Sequence, residues 1–156
     1  MSVLALVRPD SWDLPLFVHI FGAMLLVGAL TLSAVSLIAA WRSGSAPLTK
    51  LGFMSLFYGA IPGYIVMRGG AAWIAHKEGL DNDKVDLTWI NIGFSVSDIG
   101  VVLLIAALVI GGTAVRRINR GGGGTPNIAA RIATGLISVF LVACLVAVWA
   151  MTVKPT

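Results

Sequence analysis

Residues 14–41 read LPLFVHIFGAMLLVGALTLSAVSLIAAW, a run of apolar and small residues that contains no charged side chain. A helix needs about 20 such residues to cross the hydrocarbon core of a bilayer. The run exceeds that length, so it predicts a transmembrane helix. No basic segment of the kind that opens a signal peptide precedes it and no clear cleavage site follows it, so we do not expect a cleaved signal peptide.

Three further runs of the same kind follow, at residues 51–67, 87–115 and 132–153, and Asp98 is the one charged residue inside them. The composition agrees with them, because 12% of the residues are charged whereas soluble domains carry about 25%. We predict an all-α fold, a four-transmembrane-helix bundle that forms a single integral membrane domain over residues 1–156. The predicted spans lie near residues 14–41, 48–76, 87–115 and 130–153.

The charges of the connecting segments alternate in sign along the chain. Segments 42–50 and 116–131 carry basic residues and no acid, whereas segment 77–86 carries four acids beside two lysines. Cytoplasmic loops are enriched in Lys and Arg. Loops 1–2 and 3–4 are therefore predicted to be cytoplasmic, with both termini outside. These loops account for the net charge of +4, so we expect no nucleic acid partner.

Tryptophans mark the ends of the predicted spans, as expected for indoles at a membrane interface. Trp41 falls at a predicted inner end, and the other four fall at predicted outer ends: Trp12, Trp73, Trp89 and Trp149. We predict a multi-pass protein of the plasma (inner) membrane.

Three ionisable residues, one from each of the first three predicted spans, lie at similar depths: His19, Arg68 and Asp98. Counted inward from the tryptophan of each span, they lie about 10, 7 and 13 Å deep. They are thus placed in the same, outer half of the bilayer. An unpaired charge inside a bilayer is unfavourable by about 3 kcal/mol. We therefore expect Arg68 and Asp98 to pair across the second and third spans.

Polar residues on the same helix faces extend this site. Tyr64 lies one turn before Arg68, and Asn91 and Ser95 share a face with Asp98. Gly22 follows His19 by about one turn, where a small residue lets another helix approach. We predict a polar pocket, open toward the outside, that is lined by His19, Tyr64, Arg68, Asn91, Ser95 and Asp98.

The second span also contains residues that disturb a helix. Pro62 removes one backbone donor, the one that would bond to the carbonyl of Tyr58. Gly59 and Gly63 form a G-x-x-x-G pair, which is typical of close helix packing in membranes. We expect an interruption of the helix near Pro62.

Structural and cofactor alternatives stand beside the polar pocket. Arg68 can instead extend its stem and place its guanidinium among the headgroups. His19 and His76 are the only histidines, and a b-type haem held between them, with Arg68 near a propionate, is a further alternative. The five methionines and single cysteine do not form a convincing set of copper ligands. No nucleophile–base pair or carboxylate pair occurs, so we assign no catalytic residue and do not expect an enzyme.

Three segments also suggest a family. HIFGAMLLVGAL at residues 19–30, YIVMRGGAAWIAHKEGL at residues 64–80 and WINIGFSVSD at residues 89–98 resemble uncharacterised small four-span bacterial membrane proteins. These are loosely similar to the copper-resistance-D-like membrane domains, which also open with a histidine early in a span. The resemblance implies four helices and an outer-half site around His19, Arg68 and Asp98, and it implies no reaction.

The sequence leaves three functions open. In the leading interpretation, a buried polar site binds or passes a small ligand or proton, with Asp98 as the titrating group and His19 as a proton acceptor. The second interpretation is an accessory subunit of a larger membrane complex, in which Arg68 and Asp98 fix the helix register. The third is a b-type cytochrome. The expected partners are the lipid bilayer and either further copies of this chain or a larger complex.

Overall fold

The computed structural model of the protein describes residues 13–78, 88–121 and 128–153. These residues form helices, and a short turn joins the first two. In chain order the elements are α1 (Asp13–Ser43), α2 (Ala46–Ser55), a π segment (Leu56–Ala60), α3 (Ile61–Glu78), α4 (Thr88–Asn119) and α5 (Ile128–Val153). Because α2, the π segment and α3 are continuous, the described chain has four helices that are long and apolar enough to cross a membrane. The predicted all-α, four-span fold is confirmed.

The connection between α1 and α2 is shorter than the predicted loop 42–50. Gly44 takes a positive φ of 67° after the last turn of α1, a conformation that residues with a Cβ rarely adopt. Ser45 then caps α2, since its side chain accepts a hydrogen bond from the backbone N–H of Leu48. Two residues thus reverse the chain, and Lys50 lies within α2 rather than in a loop.

The predicted interruption near Pro62 takes the form of a π segment and not of a break. The backbone N–H of Ile61 bonds to the carbonyl of Leu56, five residues earlier. This wider turn directly precedes Pro62, whose ring nitrogen has no hydrogen to donate. A single π turn absorbs the lost bond and lets the helical run continue into α3.

Two helix pairs make up the bundle. α1 packs mainly against α2, the π segment and α3, whereas α4 packs mainly against α5. The pairs join where α1 meets α5 and where α2 meets α4. The largest side chains that are fully buried between them are apolar: Leu26, Leu30, Leu56, Ile137 and Phe140. α3 and α4, in contrast, contact each other at few positions.

Arginines of α4 and α5 lie at one end of the bundle. We call the end where α3 ends and α4 begins the α3–α4 end, and the opposite end the α1–α2 end. α4 runs to Asn119, so Arg116 and Arg117 belong to its last turn and not to a loop. At this α1–α2 end, Arg131 of α5 places its guanidinium 4.6 Å from the ring centre of Trp41.

Several predictions concern residues outside the described ranges. These are the acidic segment from residue 79 to residue 86, the glycine run from residue 122, and Trp12. For Trp89 the structure describes the backbone alone.

Candidate functional site

The predicted pair between Arg68 and Asp98 is confirmed. Nη2 of Arg68, on α3, donates to Oδ1 of Asp98, on α4, at 3.1 Å. The guanidinium also lies 4.7 Å from the ring centre of Phe94, one turn earlier on α4. A guanidinium stacks favourably on the face of an aromatic ring, so one cation bridges two groups of the neighbouring helix.

The pair lies on the side of the bundle and not inside it. The side chain of Arg68 is 35% exposed and that of Asp98 is 62% exposed. Asn91 and Ser95 are exposed as well. They share a face with Asp98, because the three positions are separated by four and three residues. This arrangement differs from the buried polar pocket, open toward the outside, that the sequence predicted. We refer to Arg68, Asn91, Ser95 and Asp98 together as the polar flank.

His19 belongs to a different interface, between α1 and α3. Its Nδ1 atom lies 2.9 Å from the backbone carbonyl oxygen of Met67. A carbonyl oxygen only accepts hydrogen bonds, so Nδ1 must carry the proton and donate it. In the neutral ring, Nε2 is then the acceptor. Met67 directly precedes Arg68 in the sequence. The imidazole of His19 nevertheless contacts α3 from the side of α1, whereas the guanidinium of Arg68 points to α4.

Two glycines allow α1 and α3 to approach closely enough for this bond. A side chain at Gly70 would collide with the backbone of His19, and one at Gly22 would collide with the backbone of Met67 and Val66. The close approach predicted for Gly22 is therefore confirmed. Small residues commonly let membrane helices approach each other in this way.

A second polar contact links α3 and α4 on the buried side of the ion pair. The hydroxyl of Ser97 donates to the hydroxyl oxygen of Tyr64 at 3.4 Å. Ser97 is buried, in contrast to its neighbour Asp98. Sequence reasoning named Tyr64 but missed Ser97. The signal was present, since Ser97 lies between Gly93 and Gly100 on a stripe of small residues that is typical of a packed helix face.

The structure separates the two histidines proposed as haem ligands. His76 is exposed in the last turn of α3. It lies nine residues beyond Met67, the residue that His19 contacts, which corresponds to about 14 Å along the helix. Among the described residues, no three His, Cys, Asp or Glu side chains are grouped so that they could hold a metal ion.

Comparisons with protein-family models, with curated proteins and with solved structures gave no match to this chain. The resemblance to copper-resistance-D-like membrane domains therefore stays a prediction from the sequence. The four apolar helices indicate a multi-pass membrane protein.

Proposed function

We propose that this chain is an accessory subunit of a larger membrane complex, and that its polar flank docks a transmembrane helix of a partner protein. The observation that supports this most strongly is the 62% exposure of Asp98. An acid on the outside of a four-helix bundle faces acyl chains unless another protein covers it.

The depth of Asp98 makes this exposure unfavourable in an isolated subunit. α4 is 32 residues long, and its midpoint lies between residues 103 and 104. Asp98 is five to six residues from that midpoint, or about 8 Å along the helix. The hydrocarbon core extends about 15 Å on either side of its centre. A centred α4 therefore holds Asp98 within the core, where an exposed charge is unfavourable by a few kcal/mol.

Arg68 reaches Asp98 through a hydrogen bond from Nη2 to Oδ1. The side chain of Asp98 nevertheless stays 62% exposed beside this cation. Asn91 and Ser95 add amide and hydroxyl groups within two turns on the same face. Polar groups of this kind bind one another across helix interfaces in membranes. The partner helix is thus expected to present a donor such as an Asn, Ser, Arg or Lys side chain.

The exposed face of α4 has the shape of a helix-packing surface. Six of its exposed positions follow one another at alternating spacings of four and three residues, with Phe94 and Ile99 exposed beside them: Asn91, Ser95, Asp98, Val102, Ile105 and Val109. This spacing keeps a seam on one side of a helix over several turns, as in packing between nearly parallel helices. The seam is polar near the α3–α4 end and apolar beyond it.

Site-specific crosslinking in native membranes tests the docking proposal. A photoreactive residue at Ser95 should form a crosslink of one defined mass, and the same residue at Val142, exposed on α5, should not. Asp98→Leu should abolish the Ser95 crosslink while the protein remains in the membrane. Crosslinks that are equally strong from both positions, or that survive Asp98→Leu, would contradict the proposal. A crosslink with the mass of two copies of this chain would identify the partner as a second copy and exclude the accessory subunit.

A proton- or ligand-binding site is the second candidate. It is supported by the contact between Tyr64 and Ser97, because these hydroxyls continue the polar groups from the ion pair toward the buried face of α4. Proton passage through this site can be tested in proteoliposomes with an imposed proton gradient. It requires a proton flux that is lost in Asp98→Asn and retained in Asn91→Ala. Flux equal to that of empty liposomes would exclude proton passage.

The orientation that we propose for this chain, under either function, has both termini outside the plasma membrane of a bacterium. The basic residues at the α1–α2 end support it through the positive-inside rule. In a Cys144→Ala background, a membrane-impermeant maleimide should label Lys77→Cys in intact cells and Ser43→Cys only after lysis. The reverse pattern would invert the orientation without affecting the docking proposal.

A further inference from the structure

The α1–α2 end carries a cluster of arginines around an open cavity. Thr113, Arg116, Arg117 and Arg120 line a space of about 490 Å³. Within residues 13–78, 88–121 and 128–153, none of these three arginines forms an ion pair with a carboxylate. The stabilising effect of cations at a helix C-terminus explains basic residues in the last turn of α4. It does not explain why three guanidinium groups converge on one cavity.

We infer that this cavity binds the phosphate of an anionic phospholipid, such as phosphatidylglycerol, with its acyl chains along α4. Guanidinium groups bind phosphate through paired hydrogen bonds. Thr113 is not expected to donate, because its hydroxyl already donates to the carbonyl of Ile110 at 2.6 Å. Recognition therefore depends on the arginines.

The apolar side chains next to the cavity favour a lipid over free phosphate. Ile105 and Val109 are exposed and lie on the same face of α4 as Arg116 and Arg120. Arg116 is eleven residues from Ile105, or about 16 Å along the helix. That distance is close to half the thickness of the hydrocarbon core, which is about 15 Å. One lipid can thus place its phosphate at the arginines and its chains against the apolar stretch.

The lipid site and the polar flank occupy opposite leaflets. Arg116 is 18 residues beyond Asp98, which corresponds to about 27 Å along α4. A lipid bound at the arginines reaches about as far as Ile105, so it leaves Arg68, Asn91, Ser95 and Asp98 free and covers only the apolar end of the α4 seam. Each proposal has its own test, and either can fail without the other.

Lipid binding to the full chain in mild detergent tests the inference by native mass spectrometry. The probes are phosphatidylglycerol, phosphatidylcholine and inorganic phosphate. The test variant is the double substitution Arg116→Gln and Arg120→Gln. The matched control is Arg42→Gln with Lys50→Gln, which removes the same charge at the same end of the bundle without changing the cavity.

We expect the unmodified chain to bind phosphatidylglycerol at least tenfold more tightly than phosphatidylcholine. At about tenfold per 1.4 kcal/mol and about 1 kcal/mol per basic residue near a membrane surface, the test variant should lose about thirtyfold in affinity for phosphatidylglycerol. The control should stay within about threefold, and both variants should retain the melting temperature of the parent.

Three results would overturn the inference. The first is an equal loss of affinity in the two variants, which would indicate a diffuse surface charge. The second is equal affinity for the two lipids. The third is displacement of phosphatidylglycerol by millimolar inorganic phosphate, which would show that the apolar stretch contributes nothing and that the cavity binds free phosphate.

Discussion

The guanidinium of Arg68 lies 3.1 Å from the carboxylate of Asp98 and 4.7 Å from the ring centre of Phe94. Because α3 and α4 otherwise touch at few positions, this contact and the one between Tyr64 and Ser97 are the polar links described between them. Arg68 and Asp98 are thus held by their ion pair more than by packing between α3 and α4. Substitution of either charge should therefore have a clear and measurable effect.

The first prediction concerns the charges of Arg68 and Asp98. Arg68→Asp places two acids together and should destabilise the protein by about 2 to 3 kcal/mol in lipid nanodiscs, because neither acid then has a partner within the bilayer. The exchanged pair, Arg68→Asp with Asp98→Arg, should recover at least half of this loss. Denaturant titration of Arg68→Asp, Asp98→Arg and the exchanged pair, beside the parent, measures the loss and its recovery. An exchange that recovers nothing, combined with harmless single substitutions, would show that the two residues do not stabilise each other.

The second prediction concerns the bond from His19 to the carbonyl of Met67 at 2.9 Å. His19→Leu removes the donor and should lower the free energy of unfolding by about 1 kcal/mol. His19→Asn should recover more than half of this loss, since its amide can donate from a similar position. Equal effects of Leu and Asn would mean that packing of the ring, and not its hydrogen bond, stabilises this interface.

The third prediction uses two adjacent glycines of α3. A Cβ at Gly70 would meet the backbone and side chain of His19, whereas a Cβ at Gly69 would have nothing within 4 Å. Gly70→Ala should therefore destabilise the protein by about 1 to 3 kcal/mol through overpacking. Gly69→Ala should be neutral or slightly stabilising, because alanine favours a helix over glycine by about 1 kcal/mol.

Thermal unfolding of the two glycine variants, side by side in the same detergent, measures this difference. Since the two substitutions are chemically identical and one residue apart, a general effect on helix propensity would move both melting temperatures in the same direction. That result would contradict the close packing of α1 against α3.

The fourth prediction concerns a buried serine of α1 and a half-buried serine of α2. The hydroxyl of Ser33 is fully buried and has no hydrogen-bond partner among the described residues. The hydroxyl of Ser55 lies 3.2 Å from the carbonyl of Ala29 and 2.9 Å from that of Gly52. Because a buried hydroxyl without a partner is unfavourable by about 1 to 3 kcal/mol, Ser33→Ala should raise stability by about 1 kcal/mol.

Ser55→Ala should lower stability by a similar amount, since it removes a bonded hydroxyl. Both free energies come from the same denaturant titration. A loss of stability in Ser33→Ala as large as that in Ser55→Ala would indicate that Ser33 has a partner, such as a buried water.

The pairing of Arg68 with Asp98 could be predicted because it depends on quantities that a sequence contains. Helix rise converts residue spacing into depth, and the unfavourable energy of an unpaired charge in a bilayer leaves few other partners. Ser97 could also have been found, as its position between Gly93 and Gly100 marks a packed face. The π segment could be predicted only as a disturbance at Pro62, because several local geometries can absorb one missing donor.

The placement of His19 shows where such reasoning fails. Its depth matched that of Arg68 and Asp98, so the sequence grouped the three residues in one pocket. The structure places the imidazole between α1 and α3 and the ion pair on the other side of α3, toward α4. Depth is one coordinate of a residue in a membrane, and the angle around the helix axis relative to a partner helix is another. That angle depends on which helices become neighbours.

The sequence alone determined the class of the protein, its four membrane-spanning helices, the alternation of charge between its connecting segments and the pairing of its two intramembrane charges. These follow from local properties, namely the length of apolar runs and the energy of a charge in hydrocarbon. Only the tertiary structure decided that α3 packs on α1 and α4 on α5. That choice depends on how glycines and large side chains fit between helices, and it leaves Asp98 on an exposed flank instead of in the predicted buried pocket.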